Sequence, residues 1–503
     1  MNTHKNRFRV VVVLVVTLGG CAPVSHVTGW KSLPEILSRI KAPEFPTRDF
    51  VITDYGAVAG GSNDCTATIA KAIDACHAAG GGRVVVPDGV FLTGAIHLKS
   101  NVNLHLADGA TLKFSADPAQ YLPVVFTRWE GVEGMNYSAL IYAFEQKNIA
   151  ITGKGVLDGS ASSENWWAWT RRDPNGEPAP ARRSRDMLND MGERGVPVEQ
   201  RVFGQGHFLR PNFVQPYRCR NVLIEGVTIR NSPMWELNPV LCSNVTVRGV
   251  TISSHGPNND GCDPESCRDV LIEDCIFDTG DDCIAIKSGR GSEAYALLKT
   301  TEDVRITNCT FADSIFACIG IGSETSGGIR NVRIEHCKFT HAQTYAIYVK
   351  SRPGRGAFIE DIVASDLDVS GVRGGFLRFN ILNSGIQDQA PVPGDEGIPT
   401  IKNFRFSNVR VTDCPILVDG TGIHPHKPLE GFSLVNVTGT CAKGISLANV
   451  KKAEIRNIKV TGYSGPLIDI HNVTGKGLEG AAIIEAPKVP DPIPAPAQPY
   501  QLH

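Results

Sequence analysis

Three carboxylates in two short runs are the residues of this sequence best suited to chemistry. Asp260 lies in His255-Gly-Pro-Asn-Asn-Asp-Gly-Cys-Asp-Pro264, and Asp281 and Asp282 lie in Asp278-Thr-Gly-Asp-Asp-Cys-Ile-Ala-Ile-Lys-Ser-Gly289. Asp260 and Asp281 are 21 residues apart, about one turn of a repeat fold whose periods run from roughly 20 to 50 residues. If each repeat is one coil, the two runs stack on neighbouring coils and the three acids converge on one surface. Such a cluster supports acid–base cleavage of a glycosidic bond without a metal. The competing reading is that Asp and Gly merely form turns.

The repeats that would position these acids are visible. Asn221-Val-Leu-Ile-Glu-Gly-Val-Thr-Ile229 returns as Asn244-Val-Thr-Val-Arg-Gly-Val-Thr-Ile252 and Asp269-Val-Leu-Ile-Glu-Asp-Cys-Ile-Phe277. It returns again at Asp303–Phe311 and Asn331–Phe339, with weaker copies near Asn403, Glu430 and Lys452. Apolar and polar residues alternate within each unit, as a strand with one buried face requires. Short strands recurring in this way predict an all-β chain, a right-handed parallel β-helix whose coils bury their inner faces on one another. Cys275, Cys309 and Cys337 take the place that Val227 and Val250 hold elsewhere. They are therefore expected as stacked buried thiols, neither disulfides nor metal ligands.

Upstream, Thr66 to Ala79 carries Ile69, Ala72, Ile73 and Cys76 at helical spacing and ends at Gly80-Gly81-Gly82. Val84–Val86 and Phe91–Thr93 read as strands. Between Asp158 and Arg210 the repeat is interrupted by Trp166, Trp167, Trp169 and the arginines 171, 172, 182, 183 and 185. This stretch reads either as a solvated loop or as a lid whose guanidinium groups hold carboxylates.

The chain has 503 residues, 51 of them glycine, with 42% hydrophobic and 20% charged residues. That composition favours turns and strands over a helical bundle. Lys5, Arg7 and Arg9 precede the apolar run Val10–Leu18 and then Gly19-Gly20-Cys21, the layout of a secretory signal. Leu-Gly-Gly-Cys also resembles the bacterial lipoprotein cleavage box, which would leave Cys21 lipidated. The expected divisions are a signal at 1–20, a linker and cap helix at 22–48, a catalytic β-helix at 49–485 and a Pro-rich, disordered tail at 486–503. Without residues 1–20 the formal charge moves from −2 to −5. Any acidic polymer must then be met by local basic clusters, and nothing suggests a nucleic-acid partner.

On these residues the chain resembles glycoside hydrolase family 28, the polygalacturonases and their relatives. Tyr55-Gly56-Ala57, Gly80–Pro87, Leu98-Lys99-Ser100, Asp158-Gly159, Arg210-Pro211 and the span 219–290 carry the similarity. Asn258-Asn259-Asp260 is similar to the family's Asn-Thr-Asp, Gly280-Asp281-Asp282 to its Gly-Asp-Asp, and Gly322-Ser323 to its Gly-Ser segment. The resemblance implies the pectin-lyase-like solenoid and inverting hydrolysis of α-1,4-galacturonosyl linkages without a cofactor or metal. Asp281 would be the general acid, and Asp260 and Asp282 would activate water across a gap of roughly 6.5–9.5 Å. Substrate would be met by Asn258, Lys350, Arg210, Trp235 and Asn238. The partner implied is an acidic plant cell-wall polysaccharide, acted on by an exported monomer that touches a membrane only through a lipid on Cys21.

Three departures bear on the sugar. The family's histidine falls on Phe316 or Ala317, its Arg-Ile-Lys is Tyr348-Val349-Lys350, and Asn238 stands where bacterial members often have histidine. Arg352 or Arg355 could supply the lost guanidinium. A rhamnogalacturonan or other pectin-specific hydrolase, and a non-catalytic pectin-binding lipoprotein, therefore stand beside the first reading. A calcium-dependent lyase does not fit the paired Gly-Asp-Asp. Whether cleavage is internal or terminal turns on whether the 160–210 segment closes one end of the groove.

Overall fold

The computed structural model describes residues 33–172, 175–388, 390–490 and 493. The expected signal, Cys21 and most of the Pro-rich tail lie outside them. Among the described residues, 26 strands join in one parallel network that winds as a β-helix. The register runs Val222, Val245, Val270, Val304, Val332 along one row. A second row runs Ile229, Ile252, Phe277, Phe311, Phe339. The alternation in sequence thus becomes columns of like side chains, and the Phe277, Phe311 and Phe339 rings stack at 5.6 and 4.8 Å. All thirteen described cysteines are free and buried, Cys275, Cys309 and Cys337 among them.

The polar residue that opens each unit has its own cause. Asn148, Asn221, Asn244, Asp269, Asp303 and Asn331 all have φ between 53° and 58°. That left-handed region penalises most side chains, and Asn and Asp visit it most readily because they bond locally. The asparagine amides link coil to coil: Asn148 Nδ2 donates to Asn101 Oδ1 at 2.9 Å, Asn221 to Asn148 at 2.7 Å, and Asn244 to Asn221 at 2.8 Å.

Among the described residues, four α-helices decorate the solenoid. Helix α1 (Leu33–Arg39), read from sequence as part of the linker and cap, lies along the side of the coils. There Arg39 pairs with Asp269 and Asp303, each at 2.7 Å. Helix α2 (Thr66–Ala78) is the one that packs on the first coils, burying the predicted Ile69, Ala72, Ile73 and Cys76. Helix α3 (Pro180–Glu193) falls inside the 158–210 interruption, and the short α4 (Gly291–Leu297) follows the acid-bearing coils. The interruption is thus neither a loose loop nor a simple lid. Together with the antiparallel hairpin of Val125–Trp129 and Val132–Asn136 it forms a second small core. Trp129, Val132, Leu188, Phe203, Leu209, Met234 and Trp235 share that core, which fastens the insert to the edge of the acid-bearing coils. No helix among the described residues is long and apolar enough to cross a membrane.

Candidate active site

The two acidic runs meet as the repeat predicted. One carboxylate oxygen from each of Asp260, Asp281 and Asp282 lies within 4.8 Å of one from each of the others. The turn bearing Asp260 is locked by buried Asn259. Its amide donates to the Ser232 and Met234 carbonyls at 3.1 and 2.9 Å, and its Oδ1 accepts from Ser254 Oγ and Gly256 N at 2.7 Å each. Gly280 lets the next turn close on it, since a Cβ there would sit 2.2 Å from the Gly256 oxygen. The hydroxyls of Thr279 and Ser314 both donate to the Asp281 carbonyl at 2.8 Å. The acids are held by the backbone architecture of two adjacent coils, braced by hydrogen bonds to the coils on either side.

Charge separates their roles. Lys287 Nζ stands 3.2 Å from Asp260, 3.0 Å from Asp263 and 3.9 Å from Glu324. Lys350 Nζ bonds Asp282, whose Oδ1 also accepts from Ala317 N at 3.1 Å. Asp281 has neither ammonium: its Oδ1 accepts from the Asp282 amide at 3.0 Å, and it is the only one of the three not fully buried. Burial, then the charges of Asp260 and Asp282, push the Asp281 carboxyl well above the usual range. Asp281 is thus the acid of the three with no ammonium on it; burial raises Asp260 too, but there Lys287 pulls the other way. Burial would lower both lysines, but Asp260, Asp263 and Glu324 hold Lys287 well above its ordinary value, and Asp282 raises Lys350. Glu324, which burial would raise, is held down to about 2 by Lys287, Arg355 and Arg290.

This compaction differs from the gap expected between acid and base. Two buried ammonium groups neutralise the cluster, so three carboxyls pack more closely than bare anions would.

Of the other predicted residues, Trp235 supports Lys287, whose Nζ lies 3.7 Å from the ring centroid, and Asn258 reaches the cleft. Arg210 is buried. It donates to the Pro233 and Pro257 carbonyls at 2.7 and 2.6 Å and to Asn258 Oδ1 at 2.8 Å, so it fixes the turn before Asp260. Burial lowers it to about 10 against the pull of Glu130, Asp260 and Asp281. Asn238 is a correction. It is fully buried, accepts from Asn212 and Gln215 at 2.8 Å each and donates to the Asp263 carbonyl at 2.9 Å, leaving nothing for substrate. Arg355 is a second correction: it is wholly buried against Asp388 at 3.2 Å and bonds the Ile386 carbonyl at 2.7 Å. Arg352 donates to the Gly385 carbonyl at 2.6 Å and braces the same segment.

Ala317, not Phe316, is the residue beside Asp282. Phe316 stacks instead on Tyr348 at 5.8 Å, and Lys350 Nζ lies 4.7 Å from the Phe316 centroid. The guanidinium missing at Tyr348 reappears one coil on. Arg378 is the register partner of Tyr348 and lies 5.4 Å from the rings of both Tyr345 and Tyr348. Sequence reading missed Arg378, Lys287 and Glu324. Lys287 could have been found from its coil position, because Lys350 sits in an equivalent place two coils later.

Beside Asn258 the insert and the 129–130 segment line a half-open cavity of about 360 Å³, with Trp129, Glu130, Arg172, Arg182, Arg185, Arg210 and Asn258 in its wall. A larger cavity of about 1070 Å³ lies between α4 and the 241–243 and 266–268 segments, away from the acids.

A sequence model of the family described as Glycosyl hydrolases family 28 matches residues 204–414. The crystal structure of a hyperthermoactive exopolygalacturonase from Thermotoga maritima is 40% identical, with a TM-score of 0.72 over 89% of this chain and 96% of that one. An exo-poly-alpha-D-galacturonosidase of Dickeya chrysanthemi is 30% identical over 408 residues, 76% of this chain and 64% of that protein. A "Probable polygalacturonase" of Vitis vinifera is 27% identical over 399 residues, 77% of this chain and 73% of that protein. Similarity of that extent, on a β-helix that sets three acids on adjoining coils, makes the chain a glycoside hydrolase, a member of family 28.

Proposed function

We propose that this hydrolase removes acidic sugars from one end of α-1,4-linked galacturonan with inversion at the cut carbon. The observation that carries the terminal mode is the half-open cavity beside Asn258, where Arg172, Arg182 and Arg185 come from an insert with its own core. An enzyme that cuts within chains needs a groove open at both ends; here one side of the acids is walled and cationic. Forked guanidinium groups suit the carboxylates of terminal galacturonates. Past the cut bond, Lys350 and Arg378 above the Phe316 and Tyr348 rings offer charge and a stacking face. Asp281 gives its proton to the departing oxygen, and Asp260 and Asp282 orient and deprotonate the attacking water. The inverting course follows from the family relationship, not from the carboxyl spacing.

The test is hydrolysis of polygalacturonic acid and rhamnogalacturonan side by side, reading reducing ends, viscosity and product size. Galacturonan should yield one or two short products while viscosity falls slowly. A rapid viscosity drop with a ladder of oligomers would overturn the terminal mode. Activity on rhamnogalacturonan alone would mean that Ala317 and Tyr348 mark a neutral sugar past the cut bond. Binding without turnover on either would favour the pectin-binding protein.

We infer further that the protein is exported and anchored through Cys21, on the strength of the basic, apolar and Leu-Gly-Gly-Cys order at residues 5–21. Cys21→Ser should shift the protein from the membrane to the soluble fraction of cells. An unchanged distribution would refute the anchor.

A further inference from the structure

A second cluster of metal-ligating side chains lies on the outer face of the coils that carry the acids. The strand row there runs Asp158, Arg230, Ser253, Asp278, Asp313. Elsewhere on this face a carboxylate stands opposite an arginine: Asp158 pairs with Arg230 at 3.0 Å, and Asp368 with Arg410 at 3.1 Å. Asp278 and Asp313 instead stand opposite each other, an arrangement of like charges that opposes strand pairing. The groups flanking them are imidazoles. His255 Nε2 lies 2.6 Å from Asp278 Oδ1, and His341 Nδ1 contacts Asp313. Ser253 Oγ donates to Asp278 Oδ2 at 3.0 Å and fixes that carboxylate.

Two imidazoles and two carboxylates from four successive coils thus form one row. One donor atom from each of His255, Asp278 and Asp313 lies within 4.8 Å of the other two. The acids of the active site are as close, but Lys287 and Lys350 are planted on them. The outer row has no such ammonium on it, and with both imidazoles neutral it carries two negative charges. Donors bound to one zinc ion are about 3.4 Å apart, given bond lengths near 2.1 Å. These side chains are about one-third to one-half exposed, so the remaining contraction of about 1.5 Å is within reach of rotamer adjustment.

We propose that His255, Asp278 and Asp313 bind one first-row divalent cation, with His341 orienting Asp313 and with zinc the best match to a mixed imidazole and carboxylate set. The ion would act as a staple. His255 opens the turn that bears Asp260, and Asp278 opens the turn that bears Asp281 and Asp282, so one ion would tie both turns to the coils after them. It takes no part in bond cleavage, and the proposal is independent of which sugar is cut.

The test uses the full chain after dialysis against EDTA, titrated calorimetrically with zinc chloride alone and followed by thermal melting. One equivalent should bind in the micromolar range. At metal about a hundredfold above Kd the melting temperature should rise by about 3 °C. His255→Gln and Asp313→Asn, on the outer face and outside the core, should each weaken binding at least tenfold. Absence of saturable binding to the wild-type chain, or affinity unchanged in both variants, would overturn the site.

Discussion

Asp281→Asn lowers kcat on galacturonan by about 10²–10⁴-fold while leaving KM within a small factor, the loss expected when only a transition-state proton donor is removed. Asn is close in shape and charge to a protonated carboxyl, which is the state that burial and the neighbouring anions impose on Asp281. The substitution therefore leaves the Lys287 and Lys350 contacts undisturbed, and melting should be unchanged. The sign of the pH effect follows. Asp281 must be protonated to act and its affinity for the proton is raised, so the falling, alkaline limb of wild-type activity should lie at that elevated pKa, while ionisation of Asp260 sets the rising, acid limb. In the variant the falling limb should vanish from the residual rate. An Asp281→Asn enzyme with near wild-type kcat would move the acid to Asp260 or Asp282.

Lys287→Met has a different signature, because it removes a buried cation shared by Asp260, Asp263 and Glu324. Breaking a buried ion pair from one side typically destabilises a protein by about 3–5 kcal/mol, since the partner charges remain buried. The ammonium is held protonated above its ordinary value, so its contribution is fully present below that ordinary value and is lost only as pH rises through the raised one. At neutral pH the whole effect should appear in a denaturant midpoint. Catalysis should suffer as well. Lys287 lowers the proton affinity of Asp260, so without it Asp260 ionises at higher pH and the rising limb of the rate profile moves alkaline. Stability within about 1 kcal/mol of wild type, with that limb in place, would show that the cage is redundant.

Much of this arrangement is legible in the order of the amino acids alone. The coils can be read because every unit repeats the same alternation, and the acids because their two runs fall one coil apart. What stays hidden depends on partners distant in sequence. Asn238 follows a tryptophan beside the groove and reads as a ligand, yet Asn212, Gln215 and the Asp263 carbonyl saturate it. Arg355 looks free for a carboxylate until Asp388, 33 residues on in the sequence, claims it. Helix α3 escapes notice because its inward stripe is Ala181, Ser184, Leu188, Asn189 and Gly192, with Leu188 the only large apolar member. The segment is so polar on average that it reads as loop, although its few apolar and small residues do fall on one face, and the hairpin at 125–136 gives that face something to pack on.

The amide row at the coil openings bears on how the molecule is assembled. In each link the later coil donates and the earlier one accepts: Asn148 to Asn101, Asn221 to Asn148, Asn244 to Asn221, and further along Asn331 to Asp303 and Asn403 to Asp361. The bond dipoles therefore point the same way along the axis, and each polarises the next. A finished coil offers its successor an oxygen already aimed, on a residue already in the left-handed conformation. Growth from the end covered by α2 is in this sense templated, as a crystal face templates its next layer. The row would also penalise a coil that slipped by one residue, because the residue carrying the donor would then lie off the line of acceptors.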